Sequence, residues 1–204
     1  MTALSHSPAA DRNKQPILDV LRQVLPASGA ALEIASGTGQ HVAWFAAALP
    51  GWTWQPTDFD NSSFASIEAY AAQAGLANVR PPLQLDVTAS RWPAGEQLFD
   101  AIYCANMLHI SPWATCAGLM AGAARHLAPS GLLITYGPYL EDDVPTAPGN
   151  LQFDISLHAR NPAWGIRRLE DVKGEAESVG LALRERHEMP ANNLLLVFRR
   201  AAAA

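Results

Sequence analysis

Cysteine is nearly absent from this 204-residue chain. The two present, Cys104 and Cys116, are too few and too far apart for a disulfide framework, a C-x-x-C redox pair or a thiolate metal cage. No H-x-x-H or H-E-x-x-H spacing occurs, so no metal site is expected. Long apolar runs are missing too: nothing approaches the ~18 residues of a membrane-spanning helix. The polar opening, residues 1–14, lacks the hydrophobic stretch of a leader, which makes the cytoplasm the default compartment. Basic runs are never longer than the pairs Arg167-Arg168 and Arg199-Arg200, and the formal net charge is −5. A broad phosphate-binding face is therefore not expected, and only a local basic groove would admit nucleic acid. Charged residues make up only 16% of the chain and hydrophobic ones 49%, which excludes a disordered polymer and suffices for one packed core. A single domain over residues 1–204 is the expectation.

What is present is an alternation. Residues 1–11 read as a loose tail, and Pro16 reads as the first position of a helix, where its missing N–H costs nothing. Ile17, Leu18, Leu21, Val24 and Leu25 then recur on one helical face. Short apolar strands are expected at residues 30–34, 52–57, 83–87, 100–105 and 132–136, with helices at 41–49, 62–75 and 112–127 between them. Strands alternating with helices imply a parallel sheet with right-handed crossovers. The rhythm breaks over residues 137–168, which hold four prolines and no clear period; this stretch reads as a substrate lid. A helix at 169–179 follows, then two strands at 181–188 and 194–199 that form a terminal antiparallel hairpin.

The chemistry concentrates where the first strand turns into a helix, at Leu32-Glu33-Ile34-Ala35-Ser36-Gly37-Thr38-Gly39-Gln40. Gly37 and Gly39 let the backbone turn tightly and approach a ligand. The helix that follows aims free N–H groups and its positive dipole end at the same place. Asp58 closes the second strand, where a carboxylate can accept from both hydroxyls of a ribose. A structural turn explains a lone G-x-G equally well, but strand, loop, helix, strand and terminal acid together favour a nucleoside-type ligand. The dinucleotide fingerprint G-x-G-x-x-G is not met, since its third position is Val42.

The run E-x-A-x-G-x-G from Glu33 to Gly39 resembles motif I of the class I S-adenosylmethionine (SAM)-dependent methyltransferases, with Ala35 where the first glycine usually stands. The resemblance covers nearly the whole chain. It implies a Rossmann-like α/β fold: a seven-stranded, mostly parallel sheet, helices on both faces and a C-terminal antiparallel hairpin. It implies SAM as cofactor and S-adenosylhomocysteine (SAH) as product. The cofactor-binding set becomes Glu33, Ala35, Ser36, Gly37 and Gly39 on the loop, Asp58 on the ribose, Asp86 and Val87 on the adenine, and Asn106 near the methyl group. The segments Ser7–Lys14, Ala35–His41 and Met189–Leu194 look closer still to a small methyltransferase-like family of undefined substrate in bacteria and animals.

Methyl transfer asks the protein to hold a nucleophile in line, exclude water and, for a protonated acceptor, remove a proton. Asn106 and His109 follow the fourth strand and are the catalytic candidates; His109 can equally orient the helix that starts beyond Ser111-Pro112. Asn106-Met107-Leu108-His109 lacks the two prolines and the aromatic of the amino-methyltransferase motif, which counts against a nucleobase amine. Substrate candidates are Asn13 and Lys14 before the first helix, and Tyr139, His158, Arg160 and Trp164 in the lid. Arg12 or Lys14 can pair with a carboxylate of SAM or of an acidic substrate. Asn192-Asn193 either reaches the same pocket or simply makes a turn. The composite expectation is methyl transfer to a small molecule, with a protein acceptor still open. The rivals are a catalytically silent SAM-binding protein of the same fold and, further off, a nicotinamide-dependent oxidoreductase.

Overall fold

The computed structural model describes residues 4–201 and shows a doubly covered α/β sheet. Its elements run α1 (Pro8–Val24), β1 (Gly29–Ile34), α2 (Gln40–Ala48), β2 (Trp52–Asp58), α3 (Phe64–Gln73), β3 (Leu83–Gln84), β4 (Phe99–Ala105), α4 (Ala114–His126), β5 (Leu127–Gly137), β6 (Tyr139–Leu140), α5 (Pro148–Arg160), β7 (Arg167–Arg168), α6 (Leu169–Ser178), β8 (Leu181–Met189) and β9 (Asn193–Arg200). The seven-stranded sheet has the order β3-β2-β1-β4-β5-β9-β8. All pairings are parallel except those of β9, which runs antiparallel to both β5 and β8. The expected fold class is the observed one.

Alternation along the strands builds two cores. In β1, Leu32 and Ile34 face α4 and α6, whereas Ala31 and Glu33 face α1 and α2. The same switch recurs in β4, with Ile102 and Cys104 on one side and Ala101 and Tyr103 on the other, and in β9 with Leu194, Leu196 and Phe198 against Leu195 and Val197. Strands buried on both faces are what a parallel sheet under two helical layers requires.

Three expectations need correction. The first helix does not open at Pro16. Ser7 caps it by accepting the Ala10 N–H at 3.3 Å, and Pro8 sits at the helix start. Pro16 lies inside the helix, so the Arg12 carbonyl has no donor four residues on. Burial of Ile17, Leu18, Val20 and Leu21 offsets that lost bond. The supposed tail is thus helical from Pro8 onward. Of the rest, Ser5 donates its N–H to Ser66 Oγ and Ser7 donates to Gln40 Oε1, which ties the segment to α2 and α3; residues 1–3 lie outside the described part. The stretch 137–168 is not irregular: it holds the four-turn helix α5 and pairs its two ends as β6 and β7. The third strand stops at Gln84, because Asp86 turns the chain by accepting from the Thr88 N–H and hydroxyl on one oxygen.

Close packing of α4 sets the position of this last turn. A Cβ on Gly118 would stand 2.6 Å from the Val87 carbonyl oxygen and 2.9 Å from its carbon. The obstacle is backbone, which cannot swing aside. Gly118→Val is expected to cost about 1–3 kcal/mol by overpacking, and thermal unfolding should register it at about 2–4 °C per kcal/mol. An unchanged Tm would show that α4 does not press on the Val87 turn.

Candidate functional site

The parallel strands β1, β2 and β4 all end at one edge of the sheet, and the order reverses between β1 and β4. That reversal opens a crevice at the carboxyl ends of the strands. A cavity of about 860 Å³ occupies it, lined by Ala35–Thr38, Asp58, Phe59, Leu85–Thr88, Ala105–Met107 and the far wall Ile110–Pro112 with Trp164. Its size falls within the range of small-molecule and cofactor sites.

The loop after β1 is strung on left-handed residues: Ala35 at φ +55°, Gly37 at φ +54° and Gly39 at φ +87°. Ala35 therefore takes the backbone conformation a glycine would take, although an alanine strains to do so. Gly37 donates its N–H to Asp58 Oδ2 at 2.8 Å, and Asp60 donates to Asp58 Oδ1 at 3.2 Å. The two amides set the plane of the Asp58 carboxylate at the mouth of the loop. Gly39 does not line the cavity. A Cβ there would lie 2.6 Å from the Ile67 Cα, so its role is the close approach of α2 to α3. Asp86 holds its carboxylate by the Thr88 bonds on Oδ1, and Val87 lines the same cavity.

Behind the loop lies a buried polar chain, of which His41 also lines the cavity. The Glu33 side chain is not brought to the cavity, contrary to the expectation from its motif position. Strand alternation turns it inward to 2% exposure, and its Oε2 has no hydrogen-bond partner. Burial pushes its carboxyl up to about 8, with the Asp58 charge adding to the rise and the Ser36 hydroxyl opposing it. Burial also drives His41 down to about 4, so the ring is neutral at pH 7. Its Nε2–H donates to Asn13 Oδ1 at 2.7 Å, and Tyr103 donates its hydroxyl to Nδ1 at 3.4 Å. Asn13, His41 and Tyr103 thus link α1, α2 and β4 in one network.

Beyond β4, Asn106 is also left-handed, at φ +59°, and donates its N–H to the Tyr136 carbonyl at 2.8 Å. A single 3-10 turn, Leu108–Ile110, follows. His109 lies under α5 with its ring edge-on to Phe153 at 5.4 Å, outside the lining of the cavity. Burial first, then the Arg167 and Arg160 charges, lower its pKa to about 4. Arg167 clamps the same turn, donating to the Leu108 carbonyl at 3.0 Å and to the Ser111 and Ala163 carbonyls. Of the lid residues singled out in the sequence, Trp164 lines the cavity. Tyr139 is buried and hydrogen-bonded to the Thr135 hydroxyl at 2.8 Å. His158 faces Asp154 at 3.6 Å, and Arg160 lies over the Trp164 ring at 5.5 Å. Lys14 is turned away, paired with Asp11 and set over the Trp44 ring at 4.6 Å.

Ser7, Ala10, Phe59, Ile110 and Ser111 belong to the lining without having been singled out. Ser7-Pro8 carries a helix-start signal that could have placed the first two; the others are visible only once the chain is folded. Among the described residues, no group of three or more His, Cys, Asp or Glu is placed to hold a metal ion, and no helix is long and apolar enough to cross a membrane.

The fold is similar to those of solved methyltransferase structures. An O-methyltransferase family protein from Burkholderia thailandensis superposes with a TM-score of 0.80 at 18% identity, covering 96% of this chain and 58% of its own. The mitomycin 7-O-methyltransferase MmcR gives 0.80 at 17% identity, covering 95% and 55%. CalO1, a methyltransferase of calicheamicin biosynthesis in its SAH-bound form, gives 0.75 at 13%, covering 95% and 55%. The chain thus spans less than three fifths of the length of these proteins, and at such identities the likeness establishes the fold.

The buried Glu33 makes a measurable prediction. Between about pH 4.5 and pH 8 the folded state keeps a proton that the unfolded chain has released, so stability falls as pH rises through this window and levels off above it. Glu33→Gln abolishes that decline. The variant is expected to gain stability on the order of a few kcal/mol at pH 8 and little at pH 4.5. Thermal unfolding of both proteins at the two pH values tests this, and parallel Tm–pH curves would refute it.

The family model for DUF938, described as a protein of unknown function, matches residues 4–200, and the chain belongs to that family.

Proposed function

We propose that the protein is a SAM-dependent methyltransferase acting on a small-molecule acceptor. The observation that carries this reading is the meeting of Asp58, Asp86 and the left-handed Ala35–Gly37 loop around one cavity. These are the positions that the methyltransferase resemblance assigns to ribose, adenine and the methionine part. The residues fit the group chemically. Asp58 offers a carboxylate already oriented by two amides, and Asp86 keeps one oxygen uncommitted. The N-terminus of α2 adds its dipole beside the loop. The likeness to O-methyltransferases, one of them bound to SAH, supports the same cofactor.

SAM, when bound, supplies an electrophilic methyl carbon whose bond to sulfur breaks as the acceptor's lone pair takes it. The chain's part is placement. Asn106 stands at the end of β4 between the cofactor loop and the far wall, and orients the acceptor. Ile110, Pro112 and Trp164 close that wall with apolar surface and keep water out. His109 acts through packing under α5, not as a base at the reacting atoms. Its absence from the cavity also favours a second reading, a silent SAM-binding protein, which turnover assays with an acceptor panel would separate.

Isothermal titration with SAH, with NADH as a parallel control, tests the cofactor assignment. Binding of SAH alone is expected. Asp58→Ala should weaken it at least about tenfold, the worth of a lost hydrogen bond to a charged group, with Tm within a few degrees of wild type. A folded Asp58→Ala protein with full SAH affinity would sink the assignment, and preferential NADH binding would favour the oxidoreductase.

A further inference from the structure

We infer that a second, smaller cavity is the acceptor subsite, and that it takes a single-ring-sized carboxylate held by Arg12. This rests on the methyltransferase reading and names the substrate class for it. The cavity measures about 200 Å³ and is lined by Ala9, Arg12, Asn13, Pro16, Asn106, Tyr136, Pro190, Ala191 and Asn193. Asn106 is the only described residue that lines both cavities, so the two meet at the end of β4. An acceptor seated in the smaller one reaches the larger past Asn106.

Three walls form it. Ala9, Arg12, Asn13 and Pro16 form one stripe on the first half of α1, which continues along the helix into the buried Ile17 and Val20. Tyr136 closes the floor from β5. The third wall is the turn between β8 and β9, where Ala191 and Asn192 hold left-handed φ values of +61° and +54°. That conformation is unusual for alanine and is held from outside. Asn192 Oδ1 accepts from the Ala147 N–H at 3.1 Å and from Asn150 Nδ2 at 3.2 Å, which staples the turn to the start of α5.

Charge selects the ligand. Arg12 carries the only charge among the described residues lining this cavity, and no described carboxylate lies within ion-pair distance of it. This is notable in a chain with five more acids than bases. A guanidinium matches a carboxylate with two parallel bonds. Asn13 is already committed to His41 through Oδ1, which leaves Arg12 as the one ionic partner this cavity offers among the described residues. The size fits as well, since benzene fills an apolar cavity of ~150 Å³.

The probe is benzoate, with benzamide as its uncharged counterpart, titrated into SAH-saturated wild-type protein and Arg12→Gln. Wild type is expected to bind benzoate at least tenfold more tightly than benzamide. Arg12→Gln should erase that preference while keeping SAH affinity within twofold. No benzoate binding to the SAH-loaded wild type, or a preference that survives in Arg12→Gln, would overturn the subsite. So would a tenfold loss of SAH affinity in Arg12→Gln, which would assign Arg12 to the cofactor's own carboxylate. Failure of wild type to bind SAH at all would instead overturn the methyltransferase reading first, and is read in the same titration before benzoate is added.

Discussion

Parallel pairing of β1 with β2 on one side and β4 on the other is the constraint from which the rest follows. Parallel strands cannot be joined by tight turns, so every connection must cross a face of the sheet, and helices end up covering both faces. Polar side chains within the strands must then be buried with partners, as Gln55, Thr57 and Thr135 are. The strand ends are free of that demand, and three of them, at Ala35, Asp58 and Asn106, open on the same cavity. The crevice is a consequence of pairing direction before any ligand is considered.

Glu33 is a carboxyl that this constraint buries. It lies on a central strand, where alternation points it into the layer under α1 and α2. The cost is a carboxyl that burial holds in its protonated form. His41 and Tyr103 share that layer, and both are pushed toward their neutral forms, His41 downward and Tyr103 upward. The layer behind the loop after β1 therefore holds its ionisable groups in their neutral forms, and Asp58 and Asp86 stand in front of it at the cavity.

The segment holding α5 and the terminal hairpin act as one support for the wall beyond β4. Asn192 on the hairpin turn holds the start of α5, Arg167 beyond its end holds the turn after β4, and α5 covers His109 between them. The wall facing Asn106 is thus anchored at both ends by hydrogen bonds to backbone. The exposed Leu151 and Ile155 on α5 show that the helix stays in place through these anchors more than through a buried apolar face.

Much of the cavity's wall along β1 to β3 was legible in the sequence, because each of its parts is local. A glycine loop between strand and helix, and an acid just past a strand, are set by a few neighbouring residues, and Asp58, Asp86 and Val87 line the cavity. Local signals misled where two competed. Pro16 reads as a helix start and residues 1–11 as a tail, but the side-chain cap at Ser7 starts the helix at Pro8. The α5 helix was hidden because only Leu157 of its residues is fully buried, which leaves no helical period to see. What the sequence determined alone was the alternation of strands and helices from β1 to β5, the parallel sheet and the residue types at its strand ends, since these depend on side-chain period and turn residues. Only the tertiary structure decided that Glu33, Gly39 and His109 sit behind the site, and that Arg12, Tyr136 and Asn193 share a cavity. Those residues come from segments far apart in the chain, and their meeting depends on how helices cross the sheet, which no local pattern encodes.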